Sequence, residues 1–210
     1  MTDWQRWHAP YDDPDSSLSQ RLAAVITRLR AWADAQPAGP LRILSICAGQ
    51  GRDIVGAFAQ HERSAELSGL LVDLLPENVD MANNALKEAG LHRLKADVGD
   101  AGITTPFAEA VPADLVMVCG VFGNVSDTDV RKTIEALPTL CAQGATVVWT
   151  RHRREPDLTP AIQGWFGEAG FDLISFDSPG PGEYAVGTHH LKAAPQPYVP
   201  NLPLFTFTRT

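Results

Sequence analysis

The sequence has no apolar run approaching the ~20 residues that a membrane-spanning helix requires. Basic charge is also short: 17 lysines and arginines stand against 25 aspartates and glutamates, a formal net charge of -8. Such a chain offers no broad electrostatic footprint for a phosphate backbone, which argues against nucleic acid as a partner while leaving room for a local basic pocket. Cysteine is scarce. Cys47, Cys119 and Cys141 make no C-x-x-C pair and are odd in number, the usage of reduced, buried thiols rather than of a disulfide framework. No G-x-x-x-x-G-K-[ST] phosphate loop occurs, and no histidine–cysteine spacing suggests a metal site, so none is expected. The first residues, MTDWQRWHAPYDDPDSS, are polar and acidic without an apolar signal core, and the expected location is the cytoplasm.

What is present reads as one domain over residues 1–210, with an N-terminal arm and helix (1–40) ahead of an α/β body (41–210). Trp4, Trp7, His8 and Tyr11 make the arm aromatic. Leu18, Leu22, Val25, Ile26, Leu29 and Trp32 then recur at helical spacing, with Ser17 and Gln20 as a capping box. From Leu41 onward, strand and helix patterns alternate. Strands are predicted at Leu41–Cys47, Leu67–Val72, Leu91–Ala96, Asp114–Cys119, Ala145–Thr150 and Phe171–Phe176, and alternating segments follow at Tyr184–Leu191 and Leu204–Thr208. Helices begin after the first glycine turn, at Pro76, at Ser126 with Asp129 as its capping partner, and near Asp157 and Thr159. Strands joined by helices imply right-handed crossovers and a doubly wound, mainly parallel sheet. Ligands then bind beyond the carboxyl ends of the strands, where strand order reverses.

Three successive strand ends carry residues suited to an adenosine ligand. The first runs Ser45-Ile46-Cys47-Ala48-Gly49-Gln50-Gly51 into a helix, and glycine lets backbone turn sharply and a ligand come close. Asp73 ends the second strand, 22 residues after Gly51, where an acid can accept hydrogen bonds from both ribose hydroxyls. Asp97 ends the third, within reach of the exocyclic amine of adenine. Singly, each acid is as well read as a loop residue or a helix cap. The dinucleotide pattern wants a small residue at position 54, and Ile54 disfavours nicotinamide and flavin cofactors.

Over residues 41–177 the chain resembles the class I S-adenosylmethionine-dependent methyltransferases of the small-molecule type. Their acid-x-Gly-x-Gly-x-Gly motif stands here with Ser45 for the acid and Cys47 for the first glycine. The resemblance implies a seven-stranded Rossmann-like sheet whose last strand is antiparallel, with Leu204–Thr208 a candidate for the closing strand in this chain. It implies S-adenosylmethionine as cofactor and S-adenosylhomocysteine as product. Ala48, Gly49 and Gly51 would meet the methionine part, Asp73 with Leu74 the ribose, Asp97 with Val98 the adenine, and Cys119 with Gly120 the methyl end. Family members that methylate planar amines carry Asn/Asp-Pro-Pro-aromatic after strand four. Here that place reads Cys119-Gly120-Val121-Phe122-Gly123-Asn124, which tilts the expected small-molecule acceptor from nitrogen towards oxygen.

An acceptor that carries a proton can need a base, and His152, just past strand five, is the candidate; the other reading is a plain loop histidine. Arg151, Arg153 and Arg154 either meet an acidic acceptor or pair with Glu155, Asp157 and solvent. His8 and Tyr11 are candidates for the acceptor wall, against the alternative that the aromatic arm only staples itself to the core. The loop Phe122–Asn124 and the proline-rich stretch 195–203 are further candidate walls. His189 and His190 adjoin on a strand and so face opposite ways. A scaffold or sensor that binds the cofactor without turnover, and an NAD-dependent oxidoreductase, are the rival functions. Monomer and homodimer are equally open.

Overall fold

The computed structural model describes Asp13 and residues 15–208. Helix α1 (Ser17–Ala35) precedes β1 (Leu41–Ile46), α2 (Arg52–Phe58), β2 (Leu67–Asp73), α3 (Pro76–Glu88), β3 (Leu94–Val98) and β4 (Ala113–Val118). Then come α4 (Asp127–Ala136), β5 (Cys141–His152), α5 (Thr159–Glu168), β6 (Phe171–Asp177) and β7 (Tyr184–Leu191). The seven strands lie in the order β3-β2-β1-β4-β5-β7-β6. All are parallel except β7, which runs antiparallel to both neighbours. This is the doubly wound, Rossmann-like sheet of the class I methyltransferases.

Alternation along the strands divides the core in two. Ile43, Leu71, Leu115 and Met117 point to one face, where α1, α2 and α3 cover them with Leu29, Trp32, Ile54 and Phe58. Their neighbours Leu44, Ile46, Val116 and Val118 point to the other, against Ile134 of α4 and Ile162 and Phe166 of α5. Most of these side chains are fully buried, and each such aliphatic or aromatic group contributes ~1.5–3 kcal/mol. Trp149 packs on Phe166 and is accommodated by Gly187, where an added Cβ would lie 2.2 Å from the indole.

Helix ends follow their side chains. Ser126 caps α4 by accepting from the Asp129 amide at 3.1 Å. Gly90, at φ +73°, closes α3 with the Leu91 amide donating to the Leu86 carbonyl. That closing turn uses up Leu91 to Arg93, so β3 starts three residues later than apolar character alone predicts. Helix α1 is capped by Ser16, which accepts from the Ser19 amide, and not by Ser17. The seventh strand is Tyr184–Leu191. Leu204–Thr208 adds no strand: its only β pairing beside that of Ile103 with Pro203 is a single bridge from Val125 to Phe207, while Leu204 and Phe205 pack into the core and the Leu204 and Thr208 amides donate to the Gly102 and Asn124 carbonyls.

Candidate functional site

Strands β1, β2 and β3 wind to one side and β4 and β5 to the other, so the reversal of strand order falls between β1 and β4. At their carboxyl ends, Cys47 (φ 56°), Gly49 (φ 55°) and Gly51 (φ 67°) all adopt left-handed backbone. Cysteine holds a conformation that glycine takes freely, at a cost of roughly 1–2 kcal/mol. A side chain on Gly51 would also press to 2.9 Å from Leu71. Asp73 anchors the turn. One carboxylate oxygen accepts from the Gly49 amide at 2.8 Å, and the other accepts from the Leu75 amide and the Asn78 side-chain amide, each at 3.1 Å. A single acid thereby ties the glycine loop to the start of α3.

Under this loop lies a cavity of ≈ 170 Å³. Of the residues singled out from the sequence, Ala48, Gly49, Asp73, Leu74, Cys119 and Gly120 line it. Gly51 does not; it is buried behind the turn that it permits. Asp97 and Val98 also stand outside the cavity. Asp97 is exposed and pairs with Lys95 at 2.9 Å, while Val98 lies beside the register partner Asp73 at the neighbouring strand end. Leu74 and Val98 are 62% and 55% exposed, an uncovered apolar pair at the cavity's edge.

Ser45, in the acid's place in the motif, lines the cavity too, and sequence reasoning missed Arg21, Asp53 and Asn78, which also line it. Burial pushes the Asp53 carboxyl up to about 6, against the opposing pull of its hydrogen bond from the Ile54 amide and the nearby charge of Arg21. An acid in the first helical turn after a glycine loop was a legible signal for Asp53. Arg21 had none, because it arrives from α1, outside the alternating body. The Cys47 and Cys119 thiols are held protonated by burial first and neighbouring carboxylates second.

A second cavity, of ≈ 350 Å³, adjoins the first, and Arg21 and Gly120 line both. Its walls come from the start of α1, the loop after β4, the end of β5 and the turn before β7. His152 lies in it, against Gly123, where an added Cβ would sit 3.2 Å from the imidazole. The β4 loop is braced. Thr150 accepts from the Gly120 amide at 2.9 Å, Asn124 donates to the Gly120 carbonyl at 2.7 Å, and Arg151 donates to the Phe122 carbonyl.

Residues 15–163 match a family model described as "Putative methyltransferase". The chain belongs to this methyltransferase family. No curated protein matches it. Among solved structures it is similar to magnesium protoporphyrin IX methyltransferase from Synechocystis PCC 6803 with bound SAM, at TM-score 0.67 and 14% identity, over 90% of this chain and 91% of that one. An O-methyltransferase family protein from Burkholderia thailandensis gives 0.63 and 19%, over 85% of this chain but only 57% of the other. A protein from Bordetella parapertussis described as a "possible exported protein" gives 0.63 and 17%, over 84% and 68%. At these identities the likeness is one of fold.

In this methyltransferase the basic run spans the end of β5 and the turn after it, and its members part company there. Arg151, His152 and Arg154 line the second cavity, whereas Arg153 pairs with Asp157 at 2.9 Å and lies over the Phe176 ring. His189 and His190 face apart as expected. His189 stacks on Phe166, accepts from the Trp149 indole at 3.1 Å, and is pushed by burial down to about 4, which keeps it neutral. The proline-rich stretch 195–203 lines neither cavity. His8 and Tyr11 lie outside the described residues. No helix among the described residues is long and apolar enough to cross a membrane.

Proposed function

We propose that this methyltransferase moves the methyl group of S-adenosylmethionine onto a small-molecule acceptor, with oxygen ahead of nitrogen as the nucleophile. The observation that carries the reading is the pair of cavities meeting at Gly120 and Arg21, one built from the glycine loop and Asp73, the other holding His152. When bound, the cofactor supplies an electrophilic methyl carbon whose bond to sulfur breaks as the acceptor's bond to carbon forms.

The residues of the first cavity fit that group. The Asp73 oxygens keep lone pairs beyond those used by Gly49, Leu75 and Asn78, and these suit ribose hydroxyls. Leu74 and Val98 offer an apolar edge to adenine, and Asp97 beside them an acceptor for its amine. Asp53 is a buried acid that a cation would relieve, and Arg21 complements a carboxylate; together they suit the methionine ammonium and carboxylate. The fully buried Ile54 fills the helix–sheet contact where a dinucleotide site needs a small residue, against a nicotinamide cofactor.

On the acceptor side, the braced Gly120 loop fixes where the nucleophile stands, and alignment is the main demand of a displacement. His152 takes the acceptor's proton as the new bond forms. Oxygen is favoured because Cys119–Asn124 replaces the motif that grips planar amines.

Calorimetric titration of S-adenosylmethionine, S-adenosylhomocysteine and NAD tests this. Both sulfur ligands should bind the wild type, NAD should not, and Asp73→Ala should weaken both strongly. A folded wild type that binds neither sulfur ligand would overturn the reading.

A further inference from the structure

The second cavity is electrically at odds with the chain that surrounds it. The protein carries a formal net charge of -8, yet Arg21, Arg151 and Arg154 line this space and Glu183 is the one acid doing so among the described residues. We propose that the acceptor carries an oxyanion, a carboxylate or a phosphate monoester, received by Arg151 and Arg154 in this cavity; this rests on the methyl-transfer reading above.

Arg151 is the strongest part of the case. Its side chain is only 9% exposed, and a guanidinium withdrawn from water to that degree needs a counter-charge and five satisfied donors. It is under-compensated here. One terminal nitrogen donates to the Phe122 carbonyl, the other reaches Asp127 at 3.4 Å, and Asp127 is itself 60% exposed; the buried Nε–H has no hydrogen-bond partner. Burial therefore outweighs Asp127 and pulls the guanidinium below its ordinary value. Just past the end of β5, Arg154 is exposed and makes no ion pair among the described residues.

The start of α1 adds to this. Ser16, Ser17 and Leu18 line the same cavity, and a helix of 19 residues places the positive end of its dipole there. Ser17 donates to Glu183 at 3.3 Å, so an exposed carboxylate of the protein already stands at that helix start. A volume of ≈ 350 Å³ falls at the small end of ligand sites, roughly 300–1,000 Å³, which suits a compact acceptor. Low-dielectric walls concentrate the field of the arginines on the opening, so a small anion is drawn to an otherwise repelling surface.

The test is calorimetry on protein loaded with S-adenosylhomocysteine. The probes are 4-hydroxybenzoate, 4-hydroxyphenyl phosphate and the uncharged 4-hydroxybenzamide, with 3-hydroxybutyrate and 3-hydroxybutyramide as an aliphatic pair. At least one anionic probe should bind tenfold or more tightly than its neutral counterpart, and whether carboxylate or phosphate leads identifies the source of the oxyanion. Arg154→Ala, an exposed position that leaves the fold intact, should cut that preference at least threefold with S-adenosylhomocysteine affinity unchanged. Arg151→Leu should abolish it and Arg151→Lys restore part of it. Equal binding of charged and neutral probes, or binding of none while S-adenosylhomocysteine binds normally, would overturn the inference. Failure of the wild type to bind S-adenosylhomocysteine would instead sink the methyl-transfer reading.

Discussion

The two cavities share Gly120 and Arg21 but are built on different plans. The first is made by consecutive strand ends of the parallel sheet, and one acid, Asp73, hydrogen-bonds three backbone or side-chain donors that define its shape. The second is assembled from four segments spread between Ser16 and Tyr184, and its character lies in exposed or half-paired arginines. A site made by the topology is rigid and general. A site made where loops converge is open to adjustment, and its chemistry is set by whichever side chains those loops bring.

If that contrast holds, damage should separate cleanly between binding of cofactor and use of acceptor. The largest effect is expected from His152→Ala, with kcat down on the order of 100-fold and S-adenosylhomocysteine affinity unchanged by calorimetry, as the loss of a general base predicts. A parallel loss of cofactor affinity would break the contrast. Asp73→Ala should weaken S-adenosylhomocysteine by roughly 30- to 100-fold, since charge-assisted hydrogen bonds to ligand and loop are lost together. Its kcat at saturating cofactor should fall far less.

Asp53→Asn sharpens the comparison through pH. The folded protein holds the Asp53 proton up to about 6, above the unfolded value of 3.8, so ionisation in the fold is unfavourable and stability is lost as pH rises from about 4 through 6. The variant should then be more stable than the cofactor-free wild type at pH 8, by about 2 kcal/mol in urea unfolding, and no different at pH 4. It should also bind S-adenosylmethionine less well at pH 8, where the wild-type carboxylate is available for the ammonium. Equal stability at pH 8 would mean that Arg21 already offsets the buried charge. The smallest effect is expected from Gly123→Ala, whose methyl group would stand 3.2 Å from the His152 ring: a few-fold loss in kcat from a displaced imidazole, with cofactor binding untouched.

The same contrast explains what could be read from the chain in advance. The individual strands and helices, the glycine turn and the acid at the end of β2 are local patterns, each decided within a dozen residues, and these emerge from periodicity and spacing. Asp97 was read from its place at a strand end, but position along a strand says nothing about lateral reach, and its side chain pairs with Lys95 outside the cavity. Arg21 and Glu183 were invisible, because only packing of α1 and the approach to β7 against the sheet brings residues so far apart in the chain into one space. Leu204–Thr208 misled for the opposite reason. Its alternation is real, but β7 had already taken the position beside β5, so the tail packs Leu204 and Phe205 into the core and pairs as strand only through isolated bridges.

The antiparallel course of β7 has a consequence for where the molecule can vary. Because it runs against its neighbours, it delivers its beginning to the carboxyl ends of the parallel strands, so Gly182, Glu183 and Tyr184 wall the second cavity while the rest of the hairpin lies remote from it. The family match ends at residue 163, before that hairpin starts. A change of length or residue in the approach to that hairpin can therefore reshape the second cavity without touching the glycine loop or the hydrogen bonds of Asp73.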